Sequence, residues 1–204
     1  SSYRPLLYCW RGGMRSNAMA TILSQIGWRV GVVTGGYKTS RRGAVDALRG
    51  EGAAFNFILL DGQTGTAKSD ILGRLAARGA QTLDLEGLAA HRGSVFGALS
   101  GTAQPSQKLF ESRVYATLSR LDLTRPVIVE AESARIGALV LPRNLWRSML
   151  TARPIVLYAD LEARARYIVE TYGDVTREAG AVLAAVNRLA PFHSKERLEE
   201  WREM

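Results

Sequence analysis

The sequence predicts an α/β protein whose mostly parallel sheet is covered by helices on both faces. Three observations carry this. Short apolar runs suited to buried strands alternate with segments of helical periodicity, the order that builds parallel sheets. A glycine-rich turn from Gly62 to Ser69 lies between one such run and a helix, with the spacing of a phosphate-binding loop. Hydrophobic residues make up 47% of the 204, enough to bury a substantial core. No stretch approaches the roughly 18 apolar residues of a membrane span. The first residues lack the charged-then-apolar order of a signal peptide, so a cytoplasmic location is expected.

Taken in order, Leu6 to Tyr8 is an apolar run that suits a buried strand, and it stops at Cys9. A helix follows from Ser16 or Asn17, both good caps. Its Met19, Ile22, Leu23 and Ile26 share one face, expected to be buried, and Gly27 ends it. Trp28–Val33 suits a second strand, Gly35-Gly36 a turn, and Ser40–Leu48 a basic helix. One strand–loop–helix–strand passage is too little for an independent α/β domain, so this part either packs on the second unit or, the reading favoured here, belongs to a truncated domain. Gly50-Glu51-Gly52 is a plausible joint, giving units 1–50 and 51–204. The second unit opens with a strand over Phe55–Leu60, then the glycine-rich turn and a helix to Arg78 capped by Gly79. Strands are expected at Gln81–Leu85, Pro126–Val129 and Pro154–Tyr158. Helices are expected at Ser106–Leu121, with Phe110, Val114, Leu118 and Leu121 on one face, then at 160–171, at 175–190 and from Ser194.

Charge is unevenly placed. The net charge is +8, yet residues 1–50 hold eight Lys or Arg against Asp46 alone, a net of +7. The other 154 residues hold 19 basic and 18 acidic side chains, a net of +1. A basic segment on a near-neutral body points to a polyanion such as RNA, or to a phosphorylated ligand, with Arg41 and Arg42 as candidate contacts. The alternative is a solvated face.

Cys9 is the single cysteine, so no disulfide forms within the chain. It sits where a strand ends and a helix begins, and Gly12-Gly13 lets the backbone between them curl with its N–H groups inward. The helix N-terminus, Arg11 and Arg15 all favour a thiolate, the nucleophilic form. The Cys-x5-Arg spacing serves two chemistries. Phosphatases use it to attack phosphate, and rhodanese-like proteins use a similar loop to carry sulfur or selenium. Tyr8 stands where tyrosine phosphatases usually have His, and no Asp follows closely enough to be an obvious general acid. A small buried hydrophobe is the third reading.

Gly62-x4-Ala67-Lys68-Ser69 is a Walker A pattern with one departure, Ala67 where Gly is usual. Gly62 and Gly65 let the backbone wrap phosphates, Lys68 reaches the terminal phosphates, and Ser69 can hold Mg²⁺. Val127-Ile128-Val129-Glu130 resembles the acidic end of a Walker B strand, so Glu130 or Glu132 is expected to orient metal or water. Arg164 and Arg166 lie on a late helix, either closing over phosphates or simply solvated. His91, Arg92 and Ser94 form a polar segment between apolar elements. Arg92 is a candidate phosphate or RNA contact and His91 a candidate proton carrier; the alternative is a structural turn built on Gly93.

Together these segments resemble the bacterial tRNA 2-selenouridine synthases, which join a rhodanese-like domain to a phosphate-loop domain. The resemblance rests on Tyr8-Cys9-Trp10-Arg11-Gly12-Gly13-Met14-Arg15-Ser16, Gly35-Gly36-Tyr37-Lys38 and Gly62-Gln63-Thr64-Gly65. Leu83 to Ala89, His91-Arg92-Gly93-Ser94, Phe96-Gly97, Gln104 to Lys108, Phe110-Glu111, Val129 to Ser133 and Ile136-Gly137 follow in order. It is dense from residue 8 to about 150 and implies a fragment: residues 1–50 as part of a rhodanese-like domain, 51–204 as a phosphate-loop domain. It implies conversion of wobble 2-thiouridine in tRNA to 2-selenouridine with selenophosphate, through an S-geranylated intermediate made from geranyl diphosphate. No tightly bound cofactor is expected, and Mg²⁺ is possible. A phosphate-loop kinase or phosphotransferase is the first rival, and a non-catalytic RNA-binding module the second. The oligomeric state is left open.

Overall fold

The computed structural model describes residues 3–10, 13–49, 55–94, 97–98, 101–173, 179–187, 189–191 and 193–203. The chain forms two compact units, Ser1–Gly50 and Glu51–Met204.

In the first unit, β1 (Leu6–Leu7) pairs in parallel with β2 (Gly31–Val32), and α1 (Met14–Gln25) connects them. Helix α2 (Gly36–Arg49) follows. Its predicted start at Ser40 falls a turn late, because Gly35 and Gly36, at φ 73° and 64°, lead straight into the helix. The expected inward face of α1 is open instead. Met19, Ile22 and Ile26 are 50%, 56% and 64% exposed. Strands paired over only two residues each offer too narrow a surface to cover a helix of 12 residues.

The second unit is built on a four-stranded, all-parallel sheet in the order β4-β5-β3-β8. Its strands are β3 (Phe57–Gly62), β4 (Gln81–Leu83), β5 (Val127–Glu130) and β8 (Arg153–Leu157). Leu60 of β3 stands opposite Glu130 on one side and Ile155 on the other, so β3 is an inner strand. Helices α3 (Lys68–Ala77) and α6 (Arg143–Leu150) pack on these strands. Helix α5 (Gln107–Leu118) buries Phe110, Val114 and Leu118 as its period requires, and Ser106 caps it by accepting from the Leu109 N–H. Leu72, Leu83, Leu85, Val127, Val129 and Met149 complete a core with almost no exposure. Removing the Phe110 ring would cost about 3–5 kcal/mol.

Three features depart from expectation. The expected strand at Gln81–Leu85 ends at Leu83, because Asp84 accepts from the Gly87 N–H at 2.7 Å and starts α4 (Leu85–Ala89). A hairpin of β6 (Arg135–Ile136) and β7 (Leu139–Val140) has no sequence signal. It is held from outside: Gln104 bonds the Ile136 carbonyl and the Ala138 N–H, and Gln107 bonds both backbone groups of Val140. Helix α6 is the third, absent from the elements expected above. The last helices are α7 (Leu161–Thr171), α8 (Ala179–Asn187) and α9 (Lys195–Glu203). No described helix is long and apolar enough to cross a membrane.

Candidate phosphate-binding site

The carboxyl ends of parallel strands are where α/β sheets take ligands. Here β3 delivers the chain at Gly62 into the turn 63–67, and α3 leaves from it. A side chain at Gly62 would stand 2.6 Å from Thr66 Oγ1 and 3.0 Å from the Leu157 carbonyl, so the turn can sit against β8 only with glycine there. The Thr66 hydroxyl and N–H both donate to the Gln63 carbonyl, at 2.8 and 3.2 Å, which closes the turn. Ala67 occupies the left-handed region at φ 60°, ψ 32°, with no side-chain cap for α3. This is the position where the usual pattern has glycine, and the structure shows the physical reason for that preference.

Lys68 Nζ donates to the Gly62 carbonyl at 2.7 Å, which holds its ammonium against the loop. Ser69 Oγ donates to Glu86 Oε2 at 3.0 Å. Both line a cleft of about 500 Å³ that also includes Glu86, Glu132, Arg92 and Tyr172.

Three carboxyl groups gather beside the loop. Burial is the largest cause pushing Glu86 up to about 7, followed by the charge of Glu132 and a hydrogen bond to it; Ser69 and Lys68 pull the other way. Burial also raises Glu132, although the bond it accepts from Glu86 opposes this. Both carboxyls are thus held above their ordinary range, chiefly by burial. Glu130, at the end of β5, has no exposure. Burial drives it to about 7; Ser69 nearby tempers the rise, while Glu86 and Asp84 add to it. Neither Glu130 carboxylate oxygen has a hydrogen-bond partner among the described residues.

Mg²⁺ fits this donor set in part. Ser69 and Glu86 offer hard oxygens 3.0 Å apart beside Lys68, and the unpartnered Glu130 lies behind them. Among the described residues no group of three or more His, Cys, Asp or Glu side chains is arranged to enclose an ion. A cation held here would complete its shell with phosphate oxygens and water, as Mg²⁺ commonly does.

The polar segment after α4 forms the far wall. Arg92, Gly93 and Ser94 line the cleft. The Arg92 guanidinium lies over the Tyr172 ring, 4.8 Å from its centroid, and the Ser94 hydroxyl is 2.8 Å from the Tyr172 hydroxyl. A side chain on Gly93 would come within 2.8 Å of both Glu86 and Glu132, so the backbone here packs directly against the two carboxyls. His91 is 9% exposed, and its Nδ1 accepts from the Gly93 N–H at 3.1 Å. Its ring is flanked by Gly97 and Gly137, where an added Cβ would stand 2.9 and 2.8 Å away. The two arginines of α7 part company. Arg164 bonds the loop itself, through Nε to the Thr64 carbonyl at 2.9 Å and through its guanidinium to Gln63 Oε1. Arg166 pairs with exposed Glu162 four residues earlier.

In the first unit Cys9 is half-buried and follows β1. Its carbonyl accepts from the Tyr37 N–H at 2.9 Å, and a Cβ on Gly36 would collide with that oxygen. Trp10 stacks on Tyr37 at 4.7 Å. Arg15 is exposed on α1, Arg41 is half-buried on α2 and Arg42 exposed. Arg11 lies outside the described residues, as do Gly12 and Phe96.

The sequence reading did not single out Glu86 or Tyr172. An acid just past a strand's carboxyl end was a usable signal for Glu86. Tyr172 had none, because its partners are distant in sequence.

The parallel sheet, the loop between β3 and α3 and the acidic strand end beside it are consistent with a phosphate-loop, AAA-like domain. Residues 55–198 match the family described as the tRNA 2-selenouridine synthase AAA domain. A tRNA 2-selenouridine synthase of Alcanivorax borkumensis is 39% identical over 168 residues, 81% of this chain and 45% of the relative. Those of Hahella chejuensis and Cupriavidus pinatubonensis are 37% and 38% identical over 169 residues, 81% of this chain and 43% and 45% of theirs. The chain belongs to the tRNA 2-selenouridine synthase family, and it spans less than half the length of these relatives.

Proposed function

We propose that this chain carries the phosphate-binding domain, and the cysteine loop of a rhodanese-like domain, of an enzyme that replaces sulfur by selenium in the wobble 2-thiouridine of tRNA. The observation that carries the reading is the cleft at Lys68 and Ser69, in a chain belonging to this family over residues 55–198. In the reaction, the thiocarbonyl sulfur of the base attacks C1 of geranyl diphosphate, forming the C–S bond and releasing diphosphate. The phosphate loop holds that diphosphate, with Lys68 neutralising the charge that grows on it. Alkylated sulfur is a better leaving group. The selenium of selenophosphate then bonds to the base carbon as the C–S bond breaks and geranylthiol leaves with a proton, and water cleaves the Se–P bond, releasing phosphate and leaving the selenocarbonyl. Cys9, with Arg11 and Arg15, positions the selenium donor; Arg41 and Arg42 contact tRNA phosphates; Arg92 and Ser94 face the incoming ligand. Mg²⁺, when bound between Ser69, Glu86 and the phosphates, supplies charge neutralisation. A tRNA substrate would agree with the cytoplasmic location expected from the sequence.

The test uses the full-length protein with thiolated tRNA, geranyl diphosphate and selenophosphate, followed by mass spectrometry of the digested nucleosides. Cys9→Ser should form, and accumulate, S-geranylated tRNA while making no selenouridine. The prenylation step uses the substrate's own sulfur, whereas a serine hydroxyl stays protonated and poorly nucleophilic at neutral pH. Normal selenouridine formation by the mutant rules Cys9 out. Consumption of ATP without any change to the tRNA would instead favour a kinase.

A further inference from the structure

We propose that Arg164 is a positioning residue for the phosphate-binding loop, holding the loop's acceptor side from α7 so that its N–H side is left for an anion. The inference rests on the phosphate-binding reading of this cleft. A phosphate cradle works only if its N–H groups face the ligand and its carbonyls do not, since a carbonyl turned inward repels the anion. Among the loop carbonyls, Gly62 accepts from Lys68, Gln63 from Thr66, Thr64 from Arg164 and Ala67 from the Ile71 N–H. The first is provisional, because Lys68 must leave Gly62 to reach a phosphate. Thr66 acts within the turn itself. Of these donors Arg164 alone is distant in sequence, 100 residues from Thr64.

A second contact fixes where α7 sits. Gly65, at φ 89°, packs on the helix so closely that a Cβ there would stand 2.7 Å from the Arg164 carbonyl and 3.1 Å from its α-carbon. Backbone thus meets backbone at Gly65, while the Arg164 side chain reaches around to Thr64 and Gln63. The same helix presents Tyr167, Ile168 and Thr171 to the cleft, so a shift of α7 would move loop and far wall together. The guanidinium is always charged and planar. It can bond two acceptors at once, which a lysine ammonium reproduces only in part.

The experiment is calorimetric titration of the whole chain with inorganic pyrophosphate, with thermal melting recorded for every variant. Arg164→Ala should weaken pyrophosphate binding at least tenfold while the melting temperature stays near that of the unaltered chain. Arg164→Lys, which retains a donor for Thr64, should fall between the two. Gln63→Ala should weaken binding less, and should add nothing in the Arg164→Ala background. Arg166→Ala, on the exposed side of α7, should bind as the unaltered chain does. Unaltered affinity in Arg164→Ala overturns the proposal. So does a loss that merely tracks a lowered melting temperature, with lysine no better than alanine. Failure of the unaltered chain to bind pyrophosphate or ATP overturns the phosphate reading itself, and is distinguishable because every variant would then look alike.

Discussion

Ala67 marks a place where this loop carries backbone strain, and Ala67→Gly tests it. Its φ of 60° and ψ of 32° lie in the left-handed region, where an L side chain costs roughly 1–2 kcal/mol. Glycine removes that cost but brings about 0.4–1 kcal/mol of extra conformational entropy to the unfolded chain. The methyl is only half-buried, so losing its packing forfeits less than the roughly 0.8 kcal/mol of a fully buried carbon. The balance favours the mutant by on the order of 0.5 kcal/mol, a rise of about 1–2 °C in melting temperature for a chain of this size. Urea denaturation gives the free energy more directly, with an unchanged slope showing that the unfolded state has not altered. Ala90, the other described non-glycine residue at positive φ, is the internal comparison at φ 50°. Ala90→Gly should shift in the same direction. Destabilisation by Ala67→Gly, while Ala90→Gly stabilises, would show that position 67 is not strained and would refute the reasoning.

Lys68→Ala should lower affinity for pyrophosphate and for ATP at least tenfold, because it removes the point charge meant for the terminal phosphates; unchanged affinity for both would sink the loop assignment. Glu130 and Glu86 each move from an ordinary 4.5 to about 7 on folding, so the folded chain keeps protons that the unfolded chain has lost. Their contribution is complete below pH 4.5 and disappears as pH rises through about 7. Urea denaturation across that window should therefore show stability falling, and Glu130→Gln should flatten the fall; an identical slope in the mutant would mean that Glu130 does not titrate there. Replacing Arg41 and Arg42 with Ala should lower tRNA affinity and reduce its salt dependence by up to about one log unit for each phosphate no longer neutralised; an unaltered slope would mark them as a solvated face.

The sequence alone determined the elements whose chemistry is local. The phosphate loop shows in its glycine and lysine spacing, the strands β3 and β5 in the apolar runs expected over Phe55–Leu60 and Pro126–Val129 and found at Phe57–Gly62 and Val127–Glu130, and α5 in a period that buries Phe110, Val114 and Leu118. Short elements stabilised from elsewhere did not show. The β6–β7 hairpin depends on Gln104 and Gln107, and α4 on a single Asp84 cap. The inward face assigned to α1 failed for a related reason: periodicity says which residues can be buried, while burial needs a surface large enough to cover them. Only the tertiary structure gathered Glu86, Glu130 and Glu132 around Ser69, set Arg92 on Tyr172, and brought Arg164 across 100 residues to the loop. A pattern along the chain records what each residue can do. Desolvation and the hold on a loop's carbonyls depend on distances of about 3 Å between segments far apart in sequence, which only the packed sheet fixes.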